Sequence, residues 1–297
     1  MFALTPGNAF WPYFAGAMIL LIGLFAASKE ASLARGKEKL FILGRVFFAV
    51  PMAVFAAQHF TTTKFVSQLI PKWIPARVFW TYFVGTALLA AALSIVIKKQ
   101  ARLAATLLGT MLILFELVLH IPHIISHPRD LLMWAVAFRD LAFSGGALAF
   151  AATQTEKWRA KGHSALTPLA RIFISVPTIF FGVVHFLHSE FLLAVDIDQS
   201  TPPWIPAHSL WAYLAGAVFI VLGIVLVLNL KTRLAATYLG LAVLVLLAFV
   251  YLPMVIAKPA DIDNSLNYFV STLAFSGVAF LLAAAIPAGN PPEIRHP

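Results

Sequence analysis

The strongest constraint on this chain is a series of nine apolar runs, near positions 10–27, 41–60, 78–97, 102–121, 132–152, 168–187, 208–228, 233–256 and 267–286. Each has roughly the 20 residues that a helix needs to cross the hydrocarbon core. Inside lipid every backbone N–H and C=O must find its partner within the protein, which a helix achieves along its own length. Of the 297 residues, 61% are hydrophobic and 11% charged, whereas about a quarter of a soluble domain is charged. The expected class is an all-α integral membrane protein with nine transmembrane helices.

Eight of these runs belong to two copies of one unit. Arg45-Val-Phe-Phe-Ala-Val-Pro51 is answered by Arg171-Ile-Phe-Ile-Ser-Val-Pro177, and His59-Phe60 by His185-Phe186. After five residues of loop insertion, Trp73-Ile-Pro75 and Phe79-Trp80-Thr-Tyr82 return as Trp204-Ile-Pro206 and Leu210-Trp211-Ala-Tyr213. Arg102-Leu-Ala-Ala-Thr106 returns as Arg233-Leu-Ala-Ala-Thr237, and Leu141-Ala-Phe-Ser-Gly145 as Leu273-Ala-Phe-Ser-Gly277. Ordered matches at a nearly constant offset indicate duplication. The expected organisation is an N-terminal transmembrane helix and loop over 1–44, a first four-helix repeat over 45–152, a linker over 153–170, a second four-helix repeat over 171–286 and a tail over 287–297. An even number of spans per repeat sends both copies into the membrane in the same direction, so the two repeats are parallel.

Cations alternate between connections: Lys29, Arg35, Lys37, Lys39 and Arg45, then Lys98, Lys99 and Arg102, then Lys157, Arg159 and Lys161, then Lys231 and Arg233. Cytoplasmic loops attract Lys and Arg, which places the N-terminus outside, and the linker and C-terminus in the cytoplasm, of a multi-pass inner-membrane protein. The net charge of +9 then reports topology and an anionic leaflet as partner, not nucleic-acid binding, since no basic stripe interleaved with aromatics is present. The first span lacks a cleavage signature and a basic leader, so it is expected to persist as a helix. Its Phe10-Trp11-Pro-Tyr13-Phe14 resembles Phe79-Trp80-Thr-Tyr82-Phe83 in the second helix of the first repeat. With no cysteine in the chain, disulfides, Cys-ligated clusters and c-type haem attachment are excluded.

Ionisable residues inside the spans are the best pointer to function, because each is costly in lipid and normally faces the bundle interior with a partner. Glu116 and His120 stand four apart on one helix face, and His123 lies about one turn further. Glu116 and Arg139 lie at similar depth in consecutive spans, which predicts an ion pair between them. Asp140, about 100° around its helix, then needs His59 or His120 as partner. The second repeat places Leu247, Tyr251, Ser271 and Thr272 at the positions of Glu116, His120, Arg139 and Asp140. The polar site survives in one copy only, which favours function over simple packing, although an ion pair can also fix helix register.

His59 and His185 are ionisable in both copies. Facing each other across the pseudo-axis they could ligate a haem iron or metal ion, since imidazole suits both; the plainer expectation is interfacial hydrogen bonding. His188, His127 and His208 add to a histidine cluster at the same end. The Trp73-Ile-Pro75 and Trp204-Ile-Pro206 segments, with Trp80 and Trp211, are expected to anchor an interfacial lid; the alternative is an aromatic mouth for a lipid-soluble ring. Pro51 and Pro177 remove a backbone hydrogen bond and permit kinks. Ser144-Gly145-Gly146 and Ser276-Gly277 are packing faces of small residues.

Trp73-Ile-Pro-Ala-Arg-Val-Phe-Trp80-Thr-Tyr82, Ala101-Arg-Leu-Ala-Ala-Thr-Leu-Leu-Gly109, Leu119-His-Ile-Pro122 and Phe138-Arg-Asp-Leu-Ala-Phe-Ser-Gly-Gly146 resemble the DoxX-like family of small four-helix membrane proteins. The resemblance covers roughly 45–286, as a tandem pair of such units with an added helix, and implies a connection to membrane redox chemistry, quinones and respiratory complex subunits. A quinone-like or other lipophilic ligand near the outer face of the first repeat is therefore the leading expectation. Glu116, His120, Arg139 and Asp140 form its reactive wall, and His59, His123, His185, Trp80 and Tyr82 form its binding surround. Haem or a metal ion ranks lower, and no metal site is assigned. A proton-coupled transporter and an accessory or scaffold subunit are the competing expectations.

Overall fold

The computed structural model describes residues 6–154, 164–189, 191–192, 195–196 and 207–287. Trp204-Ile-Pro206, most of the linker and the tail after 287 lie outside the described residues, as does the side chain of His208. Apart from one two-residue antiparallel pairing, Phe191–Leu192 with Val195–Asp196, the described chain is helical. Nine helices among the described residues are long and apolar enough to cross a membrane.

In chain order these are α1 (Pro6–Leu33), α2 (Glu38–Thr61), the short α3 (Thr63–Leu69), α4 (Arg77–Ile97), α5 (Ala101–Phe115) continued by α6 (Ile121–Ser126), α7 (Leu131–Thr153), α8 (Leu166–Leu187), α9 (His208–Val227), α10 (Thr232–Leu246) continued by α11 (Leu252–Ala257), and α12 (Asn267–Ala285). Between α5 and α6 the helix widens into a π turn at Glu116–His120, where the Ile121 N–H reaches back to Glu116 O. Leu247–Tyr251 widens in the same way between α10 and α11, with the Leu252 N–H on Leu247 O. Pro122 and Pro253 follow these turns in the first residues of α6 and α11. A proline inside a helix lacks a donor and crowds the carbonyl four residues back, and a single π turn relieves both while keeping the helix continuous. Asp130 and Asp261 cap the next helical segment alike, accepting from Met133 N and Asn264 N. These correspondences support the duplication expected from the sequence.

The two repeats do not pack as two separate bundles. In the first, α2 lies on α4, α4 on α5 and α5 on α7, and α12 of the second repeat closes the ring by lying on both α2 and α7. In the second, α8 lies on α9, α9 on α10 and α10 on α12, and α7 of the first repeat closes that ring against α8 and α12. The shared Leu-Ala-Phe-Ser-Gly motif explains why. Phe143 and Phe275 meet edge to face at 5.5 Å. Ser144 donates to Gly109 O at 3.0 Å and Ser276 to Gly240 O at 3.2 Å, tying each last helix to the third helix of its own repeat. The following glycine meets the first helix of the other repeat: a Cβ on Gly145 would stand 3.0 Å from Ala170 O, and one on Gly277 2.6 Å from Phe48 N. Small residues at such crossings let backbones approach in the membrane.

α1 lies along α2 and α4. Its Glu30 accepts from buried Arg45 at 2.7 Å and from Lys98 at 2.7 Å. Arg171, the counterpart of Arg45, donates instead to Leu226 O and Val227 O at the end of α9. Arg233 pairs with Glu38 at 2.6 Å. The cationic connections thus gather at one end of the bundle. At the other end Phe10, Trp11, Trp73, Phe79 and Trp80 are exposed, as an interfacial aromatic belt would be.

Gly277→Ala is expected to lower stability by about 1–3 kcal/mol, the usual cost of overpacking a filled contact, because the nearest atoms are backbone. Thermal unfolding of the purified protein in detergent measures it; a melting temperature equal to that of the parent would show that α2 and α12 separate freely.

Candidate functional site

The π turn and the middle of α7 bring Glu116, His120, Arg139 and Asp140 together inside the first ring. Asp140 is buried and is the hub: His120 Nε2 donates to its Oδ2 at 3.2 Å, and Arg139 Nε to its Oδ1 at 2.9 Å. The guanidinium lies over Phe55 at 5.4 Å and Phe143 at 5.9 Å, a placement that favours a cation. Its terminal Nη groups have no hydrogen-bond partner among the described residues.

The ion pair expected between Glu116 and Arg139 does not form. Arg139 turns back to its own neighbour Asp140, and Glu116 Oε1 is buried with no hydrogen-bond partner among the described residues. A separation of 100° on a helical wheel describes Cβ directions, and the long arginine side chain spans it. Of the two histidines considered for Asp140, His120 makes the contact.

Donor atoms of Glu116, His120 and Asp140 lie within 4.8 Å of one another, a spacing that could receive a cation. Ionised, the two carboxylates against one guanidinium leave a net negative charge. A proton or a monovalent cation neutralises it, whereas a dication would leave the site positive in a medium where uncompensated charge is costly. Charge balance therefore favours a proton or a monovalent cation over a dication at these residues.

His120 and Arg139 also line a cavity of about 1220 Å³ that neither repeat builds alone. Toward the aromatic end it is bordered by residues 60–65, Gln68 and Leu69 at the end of α2 and in α3, with His123 opposite. It continues past Arg139 into the second ring, among Thr178, Phe181, His185, Phe219, Leu239, Val243, Leu246, Tyr251, Thr272 and Phe275. Sequence comparison missed this part, because the loss of charge at Leu247 and Ser271 looked like loss of the site. The positions equivalent to His120 and Asp140 still touch: Thr272 hydrogen-bonds Tyr251, which is buried. The contact geometry is kept while the charge is removed.

The expected binding surround divides. His185 lines the cavity; its Nδ1 donates to Phe181 O at 2.6 Å and its ring meets Phe219 edge to face at 5.6 Å. His59 does the same locally, Nδ1 to Phe55 O at 2.8 Å, but faces Gly85 of α4 and does not line the cavity. The two imidazoles therefore do not share the cavity as joint ligands of one iron or metal ion would. His123 pairs with Asp130 at 3.0 Å and stacks on His127 at 4.7 Å. Trp80 and Tyr82 do not line the cavity either: both are exposed on α4, and Tyr82 reaches it only indirectly by stacking on Phe60 at 5.9 Å. Their place is the aromatic belt rather than a ligand wall.

Residues 166–252 match the sequence profile of the DoxX family, and residues 48–139 match that of a domain of unknown function, DUF8561. The DoxX match thus falls on the second repeat, although the motifs that suggested it stand mostly in the first. No curated protein and no solved structure matches the chain.

Asp140→Ala should cost several kcal/mol, about 3–5 for breaking a buried pair, because Arg139 and His120 both lose their acceptor; a melting shift no larger than that of a surface substitution would contradict the hub. Asp130, at the membrane edge, is held below the usual carboxylate range by the Met133 N–H and then by His123. A depressed folded value stabilises above the ordinary carboxylate range and is lost as pH falls through the folded value. Asp130→Ala should therefore lower stability by about 1 kcal/mol at neutral pH, with the gap to the parent narrowing in acid; a gap constant with pH would deny the carboxylate this role.

Proposed function

We propose that this chain, a DoxX-like membrane protein by its residues 166–252, binds a quinone-like or other lipophilic ligand in the cavity between its two repeats. The observation that carries this reading is the composition of that single cavity. Arg139 and His120 are set into a wall that is mostly apolar, with aromatic and aliphatic side chains supplied by both repeats. A concave, mostly apolar site with a few convergent polar groups is what an apolar ring or tail with a polar head requires. The volume of about 1220 Å³ exceeds the usual 300–1,000 Å³ of drug-sized sites, which suits a molecule with an extended apolar part.

Each polar group has a distinct part. The free Nη donors of Arg139 suit a carbonyl or oxyanion of the head. His120, oriented by Asp140 as a histidine is oriented by a carboxylate in acid–base sites, moves a proton to or from the same oxygen. A general acid or base must lie within hydrogen-bond reach of that proton, and His120 does so by lining the cavity. Glu116 is not among the lining residues. It acts from behind, as the second carboxylate that sets the charge of the site. On this reading the chain works in redox-linked membrane chemistry, with its site toward the end of the bundle opposite the cationic loops.

Two measurements test the proposal. Organic extraction of protein purified from native membranes should yield a lipophilic ring compound in near-stoichiometric amount. Titration with a short-tailed benzoquinone should saturate, and Arg139→Gln should weaken binding roughly tenfold, as removal of a charged hydrogen-bond partner does. An empty extract together with no saturable binding would reject the proposal.

A further inference from the structure

His185 carries a polar atom that no described residue uses. Its residue is 7% exposed, it lines the cavity, and its Nε2 is buried with no hydrogen-bond partner among the described residues. A buried polar group is normally satisfied, and each exception asks for an explanation. Its other nitrogen fixes the chemistry. Nδ1 lies 2.6 Å from Phe181 O, and a carbonyl oxygen only accepts, so Nδ1 carries the proton. In the neutral ring Nε2 is then a bare lone pair, since the hydrogen bond at one nitrogen sets the tautomer. That atom seeks a donor.

No described residue donates to that atom, and much of the surface around it is apolar. Phe181, Phe219 and Phe275 wall the second ring, with Leu239, Val243 and Leu246 across from them. The hydroxyl of Thr178 is already spent on Ile174 O at 2.7 Å. A ligand that enters this part meets an apolar ring wall, and it bonds His185 Nε2 only if it presents a donor such as an O–H.

We propose that the second repeat holds a hydroxyl-selective subsite, in which His185 Nε2 accepts from a phenolic or hydroquinone-type O–H of a lipophilic ligand enclosed by Phe181, Phe219 and Phe275. This rests on the lipophilic-ligand reading of the cavity and adds its polarity: the Arg139 side supplies donors and takes a carbonyl or oxyanion, and the His185 side supplies an acceptor and takes a hydroxyl. The two repeats divide the work, the first with the Arg139 guanidinium and the second with the His185 lone pair beside its phenylalanines. A site built to bond a hydroxyl discriminates strongly against the analogue that lacks it.

The test compares 4-heptylphenol with 4-heptylanisole, in which a methyl group replaces the hydroxyl hydrogen that would be donated to His185 Nε2. Full-length protein should bind the phenol about tenfold more tightly, the effect of one buried hydrogen bond. His185→Phe, which keeps a ring against Phe219, should bind both alike while melting no lower than the parent, because it removes an unsatisfied atom. Equal binding of the two probes by the parent would overturn the subsite and leave the cavity reading standing. A preference that survives in His185→Phe would overturn the assignment to His185. Failure of the parent to bind either probe, together with an empty native extract, would take down the cavity reading and this subsite with it. Should His185→Phe not fold, the comparison of the two probes on the parent still decides whether a hydroxyl is selected.

Discussion

Everything in this molecule depends on two glycine contacts, Gly145 on α8 and Gly277 on α2, at which the last helix of each repeat lies against the first helix of the other. Lipid offers no hydrophobic drive between helices, so close van der Waals packing and interhelical hydrogen bonds must supply the cohesion. The Ser-Gly pair supplies both at once, serine bonding inward to its own repeat and glycine admitting the other backbone. Because each ring is closed by a helix from its partner, neither repeat completes its own interior. A space that opens in one ring is continuous with the other through the faces of α7 and α12.

That continuity gives the asymmetry of the repeats its meaning. The first ring is filled with charge, where Asp140 joins His120 and Arg139 and Glu116 adds a second carboxylate. The second ring has Leu247, Tyr251, Ser271 and Thr272 at the same positions, and it lines the cavity with phenylalanine, aliphatic and hydroxyl side chains. Both copies line one cavity. The second copy, which by sequence alone resembles a scaffold that has lost its site, contributes nearly as much of the lining as the first.

Much of the candidate site was legible in the residues themselves. Ionisable groups at 116, 120, 139 and 140 are conspicuous in apolar spans, and the structure gathers them. Their pairing was not legible. Helical-wheel angles assumed an unbroken α-helix and short side chains, whereas Glu116–His120 forms a π turn and the Arg139 side chain folds back onto Asp140. Pro122 and Pro253, two residues beyond the two π turns, were the available signal for the widened helix. Trp80 and Tyr82 illustrate the opposite error: aromatic residues at a membrane surface serve the bilayer interface as readily as a ligand, and only their outward orientation on α4 decides between the two.

The sequence by itself determined the class, the number of apolar helices, the two repeats and the small-residue faces, because hydropathy, helix length and internal repetition are properties of the chain in order. The tertiary structure alone decided which helix closes which ring, that Glu116 Oε1 has no hydrogen-bond partner among the described residues, that His185 and Arg139 share one cavity while His59 stands apart, and that both repeats line it. Each of these depends on distances between residues far apart in the chain, and in a bundle of nearly uniform apolar helices the pattern of hydrophobicity does not specify neighbours. The backbone approach at two glycines and the volume of a few phenylalanines do.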